Sequence, residues 1–538
     1  MKKILTLWFA FISPFLPLIG KELPVPYGLE ALSKQWRVDL YWTEDPVWTA
    51  NKLYFYEVQK GSAIEGPYQP LHEGVQKFPA ISDFMGKESS DCFYRVRTVE
   101  VLSEKDMTPV SFSSWSQPVI GKALELNLDT LITEIQEASF RYFYNFSHPV
   151  SGLPREGAHG WWKDCASAGS TGMAFFNFVV GIERGFITRE QGVDRVLKML
   201  RFLDQKTEKF RGAFPHWIDG TEGYAHVFSE FDDGADLVET AFIAEGLLLA
   251  REYFEKESFK EAAIREISDR LWKGIDWECF VHEINPGQRA LLWHWSPKHE
   301  WKMNLPIQGF NECVIAYVLG IGSPTHPIDP EVYWEGWEKK GDNYGKNFEV
   351  LGVQMDLAFG FGSPLFLTHY SYMGLNPKAV TYKGTDYHDI FSRMCLAQKR
   401  YMPTRANEFK GYDGDLWGLT ASLSPDGYKV HGPGHDDNGT ITPTASLSSF
   451  PYLPESCESA LIEMFVKYGE KLWGPYGFYD AFNPTRDWVG ENFIGIDVGP
   501  IAPMIENYRT GLCWKYFMKA PEIQKAVKIL NKMDRDRK

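Results

Sequence analysis

Five acidic side chains set in apolar text are the residues most able to do chemistry. Asp232, Asp236 and Glu239 lie in FDDGADLVETAF (231–242) at offsets of zero, four and seven, so a helix over this stretch would carry all three on one stripe. Ser229, three residues ahead of Asp232, fits a capped start, where the positive end of the helix dipole tolerates stacked negative charge. The run that follows, from Leu237 to Leu249, leaves almost no polar face, which predicts a buried helix with an acidic mouth. Ionised carboxylates there suit hydroxyl binding or a basic role; the alternative is a capped helix with solvated acids. Glu312 is the one charge between Gly309 and Ile321, with Asn311 available as a cap. Apolar neighbours raise a carboxyl's proton affinity, as a general acid at neutral pH requires, unless this first-turn Glu faces water. Asp497 sits in FIGIDVGPIAPMIENYRTG ahead of Pro500; Arg509, twelve residues on, is the cation that would make it structural instead.

Loops between these points place polar groups beside aromatics: His216 with Trp217, His369 with Tyr370, Asn438 in HGPGHDDNGTITPTAS and Asn483 in YGFYDAFNP. Such pairs suit sugar rings and their hydroxyls. His431, His435, Asp436 and Asp437 could suggest a metal, but Gly and Pro crowd the segment and no helix fixes ligand spacing, so no metal is expected. Nucleophile-elbow, phosphate-loop and dinucleotide motifs are missing from the sequence, and no cofactor is expected. Carboxylates with aromatics and no cofactor motif point to glycosidic chemistry, where two acids can do the whole job.

Elements must carry these residues to one place. The 538 residues exceed one average domain, and a formal charge of -15 argues against a nucleic-acid partner. Lys2 and Lys3 ahead of the apolar run 4–20 read as a signal peptide, which predicts a periplasmic or secreted protein without a membrane anchor once it is removed. Seven scattered cysteines predict neither a zinc site nor a disulfide framework. Residues 21–122 read as a small all-β sandwich, with strands over 36–42, 53–58, 92–100 and a closing 111–120. Trp42 and Tyr94 resemble the core and corner residues of a fibronectin type III domain; Trp36, Trp48 and Trp115 are framework or a sugar platform. From 123 to 538 the period turns helical, with apolar and amphipathic helices in alternation. About 30 to 35 residues per helix and loop gives about twelve helices, six inner and six outer, the plan of an (α/α)6 toroid.

The text from GIERGFITRE through FSEFDDGADLVETAF, GFNE, HYSYMGLNP, DDNGTITPTASLSSFPY, YGFYDAFNP and GIDVGPIAPMIENYRTG resembles the bacterial endo-β-1,2-glucanases of glycoside hydrolase family 144, in the glucoamylase-like set. That resemblance implies an (α/α)6 toroid, cleavage of linear β-1,2-glucan to sophorose or short sophorooligosaccharides with inversion, and no metal. It maps Asp232, Asp236 and Glu239 onto the family's acidic cluster, Glu312 onto its acid and Asp497 onto its candidate base. Glu239 is the reserve catalytic residue. The wider set often has Asp-Arg after the first helix where this chain has Pro154-Arg155, so no role transfers to Arg155.

The sequence therefore predicts a monomeric, exported glycoside hydrolase acting on a linear β-glucan or oligosaccharide. Glu312 would be the acid and Asp497 the base, with Asp232, Asp236, His216, His369, Tyr370, Asn438, Asn483 and Arg509 around the sugars. The rival readings are a lyase or epimerase on the same toroid, separable by product absorbance and mass, and a glycan-binding protein that makes no new reducing ends.

Overall fold

The computed structural model describes residues 23–44, 53–103, 105–157, 160–342, 348–357 and 362–537. The predicted signal segment and Trp48 lie outside them. The N-terminal unit is two packed antiparallel sheets. β1 (Tyr27–Lys34) and β5 (Ala80–Phe84) flank β2 (Arg37–Thr43) in one. The other runs β4 (Tyr68–Pro70), β3 (Tyr54–Gly61), β6 (Cys92–Val101), β7 (Pro109–Phe112), with β8 (Val119–Gly121) also paired to β6. Alternate residues of β2, β3 and β6 point inward, and Val38, Leu40, Trp42, Tyr56, Val58, Tyr94 and Val96 form the core. The Tyr94 hydroxyl donates to Asp83 Oδ2 at 2.7 Å. The closing stretch, expected as one strand, is broken into β7 and β8. Trp115 lies between them beneath the guanidinium groups of Arg95 and Arg97, 4.5 and 4.4 Å from its ring centre. Trp36 stacks on Phe465 of the helical unit at 5.8 Å. Both rings are framework.

The helical unit is a toroid of outer and inner helices. Outer members include α1 (Leu128–Asn145), α3 (Arg189–Gln205), α5 (Phe259–Lys273), α7 (Tyr387–Tyr401) and α9 (Pro454–Glu463). The inner ring runs α2 (Ala168–Glu183), α4 (Leu237–Tyr253), α6 (Val314–Gly322), the tight turns over 365–372, α8 (Pro443–Leu447) and α10 (Ile501–Thr510). The ring closes because α10 packs back on α1 and α2. The inner helices α2, α4 and α6 are largely apolar on every face since both sides are covered, whereas α3 and α5 keep one charged face. The closest approach, α2 on α4, depends on Gly172: a Cβ there would fall 2.1 Å from the Phe242 carbonyl oxygen. Thr188 opens α3 with a reciprocal capping box to Gln191. All seven cysteines are unpaired, and no described helix is long and apolar enough to cross a membrane.

Sandwich and toroid share a buried interface. Arg37, 0% exposed, lies between Asp39 (3.1 Å) and Glu134 of α1 (2.9 Å) and over the Trp473 ring at 4.0 Å. Tyr41 and Ser82 donate to the carbonyls of Pro475 and Gly474 at 3.2 and 3.1 Å. Phe78 wedges edge-on among Phe146, Tyr476 and Phe493. Burying an Arg is tolerable here because each flank meets a carboxylate or an aromatic face.

Candidate active site

The acidic stretch does not start its helix where the spacing predicts. Ser229 and Asp232 close a turn on each other's backbones, and Asp236 ends a short strand (Ala235–Asp236) paired with His294–Trp295. Helix α4 begins only at Leu237, with Asp236 as its cap: Asp236 Oδ1 accepts the Val238 and Glu239 N–H groups, each at 2.9 Å. Asp232 therefore meets Asp236 through the turn and not along a helical stripe.

Two histidines compensate them. His216 Nδ1 lies 3.0 Å from Asp232 Oδ2 and 3.2 Å from Asp236 Oδ2; His294 Nε2 lies 3.3 and 3.4 Å from the same two oxygens. Trp293 Nε1 donates to Asp236 Oδ2 at 3.1 Å. Burial alone would lower His216, but the charge of Glu239 and the bonds to Asp232 and Asp236 raise it well above its usual value. Against the same opposing burial, the two aspartates carry His294 to about 9. Burial would raise Asp236, and the two imidazoles more than reverse it. Expected as hydroxyl acceptors, the two aspartates are mostly occupied. Both Asp236 oxygens are bonded, and Asp232 Oδ1 alone is buried without a partner among the described residues. Ligand atoms of His216, Asp232 and Asp236 lie within 4.8 Å of one another, close enough to hold a cation if His216 were neutral.

Glu239, in the first turn of α4 and 6% exposed, accepts the Gly169 N–H at the start of α2. Burial raises it to about 8, offset in part by His216 and reinforced by Asp236 and Glu156. Glu312 stands in the turn before α6, whose first residue is Val314; Asn311 Oδ1 caps the Cys313 N–H at 2.8 Å, as its type predicts. Half-buried, Glu312 is raised to about 7 by desolvation, with a smaller push from Asp236. Its carbonyl is held by Ser371 of the neighbouring inner turn.

Asp497 lies in a short helical turn (Gly495–Val498) ahead of Pro500 and is 2% exposed. The Tyr370 hydroxyl donates to its Oδ1 at 3.0 Å. Its carboxyl meets that of Asp480, whose Oδ2 accepts the Leu423 N–H at 2.6 Å. Asp497 Oδ2 and Asp480 Oδ1 are both buried with no other partner, an arrangement that a shared proton satisfies. Burial, then the Asp480 charge, raises Asp497 well above the carboxylate range; burial raises Asp480 to about 6. Tyr370 and the exposed Tyr428 link the two halves, since the charges of both Asp497 and Glu312 act on each phenol. Glu156 stands between Glu239, His216 and Asp497, raised by burial, with Oε2 buried and unpartnered among the described residues. On the open side Phe228, 48% exposed, stacks on His216 at 4.0 Å.

Four expected residues are held by partners within the protein. His369 is buried against Ser449 (2.9 Å) and Tyr452, and burial lowers it to about 3. Asn483 staples the loop at Asn438 O (3.0 Å) and Asn438 bonds Asp426 (3.0 Å). Arg509 is at the far end of α10, bonded to Thr133 and Gln136 of α1 at 3.0 and 2.6 Å, so it is not the counter-ion of Asp497. Among His431, His435, Asp436 and Asp437, His431 Nδ1 meets the Asp436 carbonyl at 2.6 Å, while Asp437 accepts the hydroxyls of Tyr401 and Tyr412. Sequence reasoning missed Glu156, Asp480, His294 and Tyr428. Only Asp480 carried a usable signal, as an acid enclosed by the aromatics of YGFYDAFNP.

The "Putative glucoamylase" (glycoamylase) family model matches residues 304–521. An exo β-1,2-glucooligosaccharide sophorohydrolase (non-reducing end) of Parabacteroides distasonis is 37% identical over 525 residues, covering 94% of this chain and 70% of the relative. The chain belongs to the β-1,2-glucanase family. Among solved structures, the β-1,2-glucanase from Parabacteroides distasonis is similar at a TM-score of 0.84 and 36% identity, covering 95% of this chain and 74% of that one. The endo-β-1,2-glucanase from Chitinophaga pinensis, solved with sophorotriose and glucose, aligns at 0.72 and 41%, covering 76% and 98%. As a member of that family the protein is a glycoside hydrolase with a mostly helical toroid behind a β-sandwich.

Proposed function

We propose that this β-1,2-glucanase releases sophorose from β-1,2-glucooligosaccharides by inverting hydrolysis, with Glu312 as general acid and Asp497 as general base. The observation that carries this reading is the contrast between the two carboxyls that Tyr370 relates. Glu312 has no bonded cation among the described residues and keeps its proton to about 7, as a donor to the leaving oxygen must. Asp497 belongs to a buried pair that holds one proton and one negative charge, so it can accept a proton from water, directly or through a sugar hydroxyl. The His216–Asp232–His294–Asp236 cluster then serves as a charge-balanced floor. Glu156 and Glu239 face the sugars as hydroxyl partners, Glu239 being the second candidate acid. Exo action is supported by the sophorohydrolase that matches through both the sandwich and the toroid. Export follows the reading of the basic and apolar N-terminus, and the monomer remains the working assembly.

Sizing the products from a linear β-1,2-glucan and from short sophorooligosaccharides over time tests the activity. Sophorose alone from the first minutes supports exo cleavage, whereas a ladder of sizes supports endo. If Glu312→Gln and Asp497→Asn both keep wild-type turnover, the assignment of roles is wrong.

A further inference from the structure

We propose that Glu44 of the sandwich positions Glu156 of the active site through Arg155. This rests on the reading of the site given above. Glu44 follows β2, and its Oε2 lies 2.8 Å from Arg155 Nη1. The Tyr56 hydroxyl of β3 donates to the other oxygen at 3.0 Å and fixes the carboxylate. Burial alone would raise the Glu44 carboxyl, and Arg155 with Lys163 brings it below its ordinary value, so it is an anion. Arg155 is 1% exposed, its Nε and Nη2 lack partners among the described residues, and its plane lies over Phe146. A guanidinium so enclosed stays where its carboxylate is.

The next residue is Glu156. Its N–H donates to the Cys165 carbonyl at 2.8 Å, and the Arg155 carbonyl accepts from Tyr142, so the backbone between them is pinned on both sides. Arg155 points to the sandwich and Glu156 to the site, so the pair with Glu44 is a third tether, beside those two hydrogen bonds, on the one peptide unit that sets where Glu156 stands. A second contact from the sandwich reaches the same site, because Phe78 packs on Tyr476 and Phe493, each four residues ahead of Asp480 and Asp497 respectively. Glu44 is thus a positioning residue, and the sugar meets only Glu156.

The test is a double-mutant cycle on a sophorooligosaccharide, with kcat and KM measured separately for Glu44→Gln, Glu156→Gln and the double variant. Lys34→Met is the control, since it breaks another sandwich–toroid pair (Lys34–Glu137, 2.6 Å). Glu156→Gln is expected to lower kcat/KM about tenfold through KM, the size of one hydrogen bond. Glu44→Gln should show a similar KM effect, the double variant should be no worse than Glu156→Gln alone, and Lys34→Met should match wild type. Additive effects, or a Glu44→Gln enzyme with wild-type KM, would overturn the proposal while Glu156 kept its role. An unaffected Glu156→Gln enzyme would overturn both. Should Glu44→Gln fold poorly, Glu44→Asp, which keeps the charge but shortens the reach, must still raise KM, and wild-type KM in that variant refutes the idea.

Discussion

Replacing Glu312 by Gln should abolish turnover and stabilise the protein above pH 7. In the folded state desolvation raises this carboxyl from 4.5 to about 7, so the native protein binds the proton more tightly than the unfolded chain does. The stability this group contributes is complete below pH 4.5 and is lost as pH rises through about 7, where the native state must carry a desolvated anion. A glutamine has nothing to lose. The full rise would correspond to about 3.4 kcal/mol, and because Glu312 is half-buried, water screens part of it, leaving about 1–2 kcal/mol. A helical unit of about 400 residues unfolds with about 0.8 kcal/mol/K, so the melting temperature moves by about 1–2 °C. Thermal melts of both proteins at pH 5 and pH 8.5 give the check: the variant should gain on wild type between the two. A difference that is constant with pH, or that turns against the variant at pH 8.5, means Glu312 is solvated and ionised at neutral pH and cannot be the acid.

The rate of the wild-type enzyme should be a narrow bell in pH, rising through about 6 as the Asp480–Asp497 pair takes its first negative charge and falling through about 7 as Glu312 ionises; a plateau from 5 to 8 contradicts both assignments. Asp480→Asn offers Asp497 an amide N–H in place of the shared proton and should keep activity within about tenfold, whereas Asp480→Ala leaves a buried oxygen unpaired and should lose about a hundredfold, measured as kcat at the pH optimum. Phe228→Ala removes the exposed ring stacked on His216 and should raise KM about threefold to tenfold with little change in kcat, if that ring carries a sugar; unchanged KM places the substrate elsewhere.

How far the site could be read in the text depended on whether a residue's environment was local. Glu312 and Asp497 stood out because their apolar surroundings are their sequence neighbours. The helices α2 to α6 were legible for the same reason, since a 3.6-residue period is a property of the segment itself. Asp232 was misplaced because an offset of four assumes a helix, and the partner strand at His294–Trp295 that holds the chain extended is some sixty residues away. His369, Asn438 and Asn483 looked functional because loops rich in polar and aromatic groups bind sugars, yet the same groups also tie loops together: His369 bonds the Ser449 hydroxyl, Asn483 the Asn438 carbonyl and Asn438 the Asp426 carboxylate. His294 and Glu156 had no local sign at all. Their meaning lies in what the toroid brings opposite them.

The placement of charge explains why the site needs so many acids. A catalytic carboxyl that must stay protonated near neutral pH requires desolvation, and desolvation is easiest in a ring of apolar inner helices. The same ring would make any ionised neighbour prohibitively costly. The fold meets the two demands separately: Asp232 and Asp236 lie against His216 and His294 at the α4 entrance, while the buried carboxyls of Asp480 and Asp497 meet at the turn Gly495–Val498. Between these two groups Glu312, Glu239 and Glu156 have no bonded cation among the described residues, and each is raised. A lysine or arginine among them would hold them ionised and remove the acid, which is why the bonded cations lie at the edges, on histidines whose charge two aspartates already absorb.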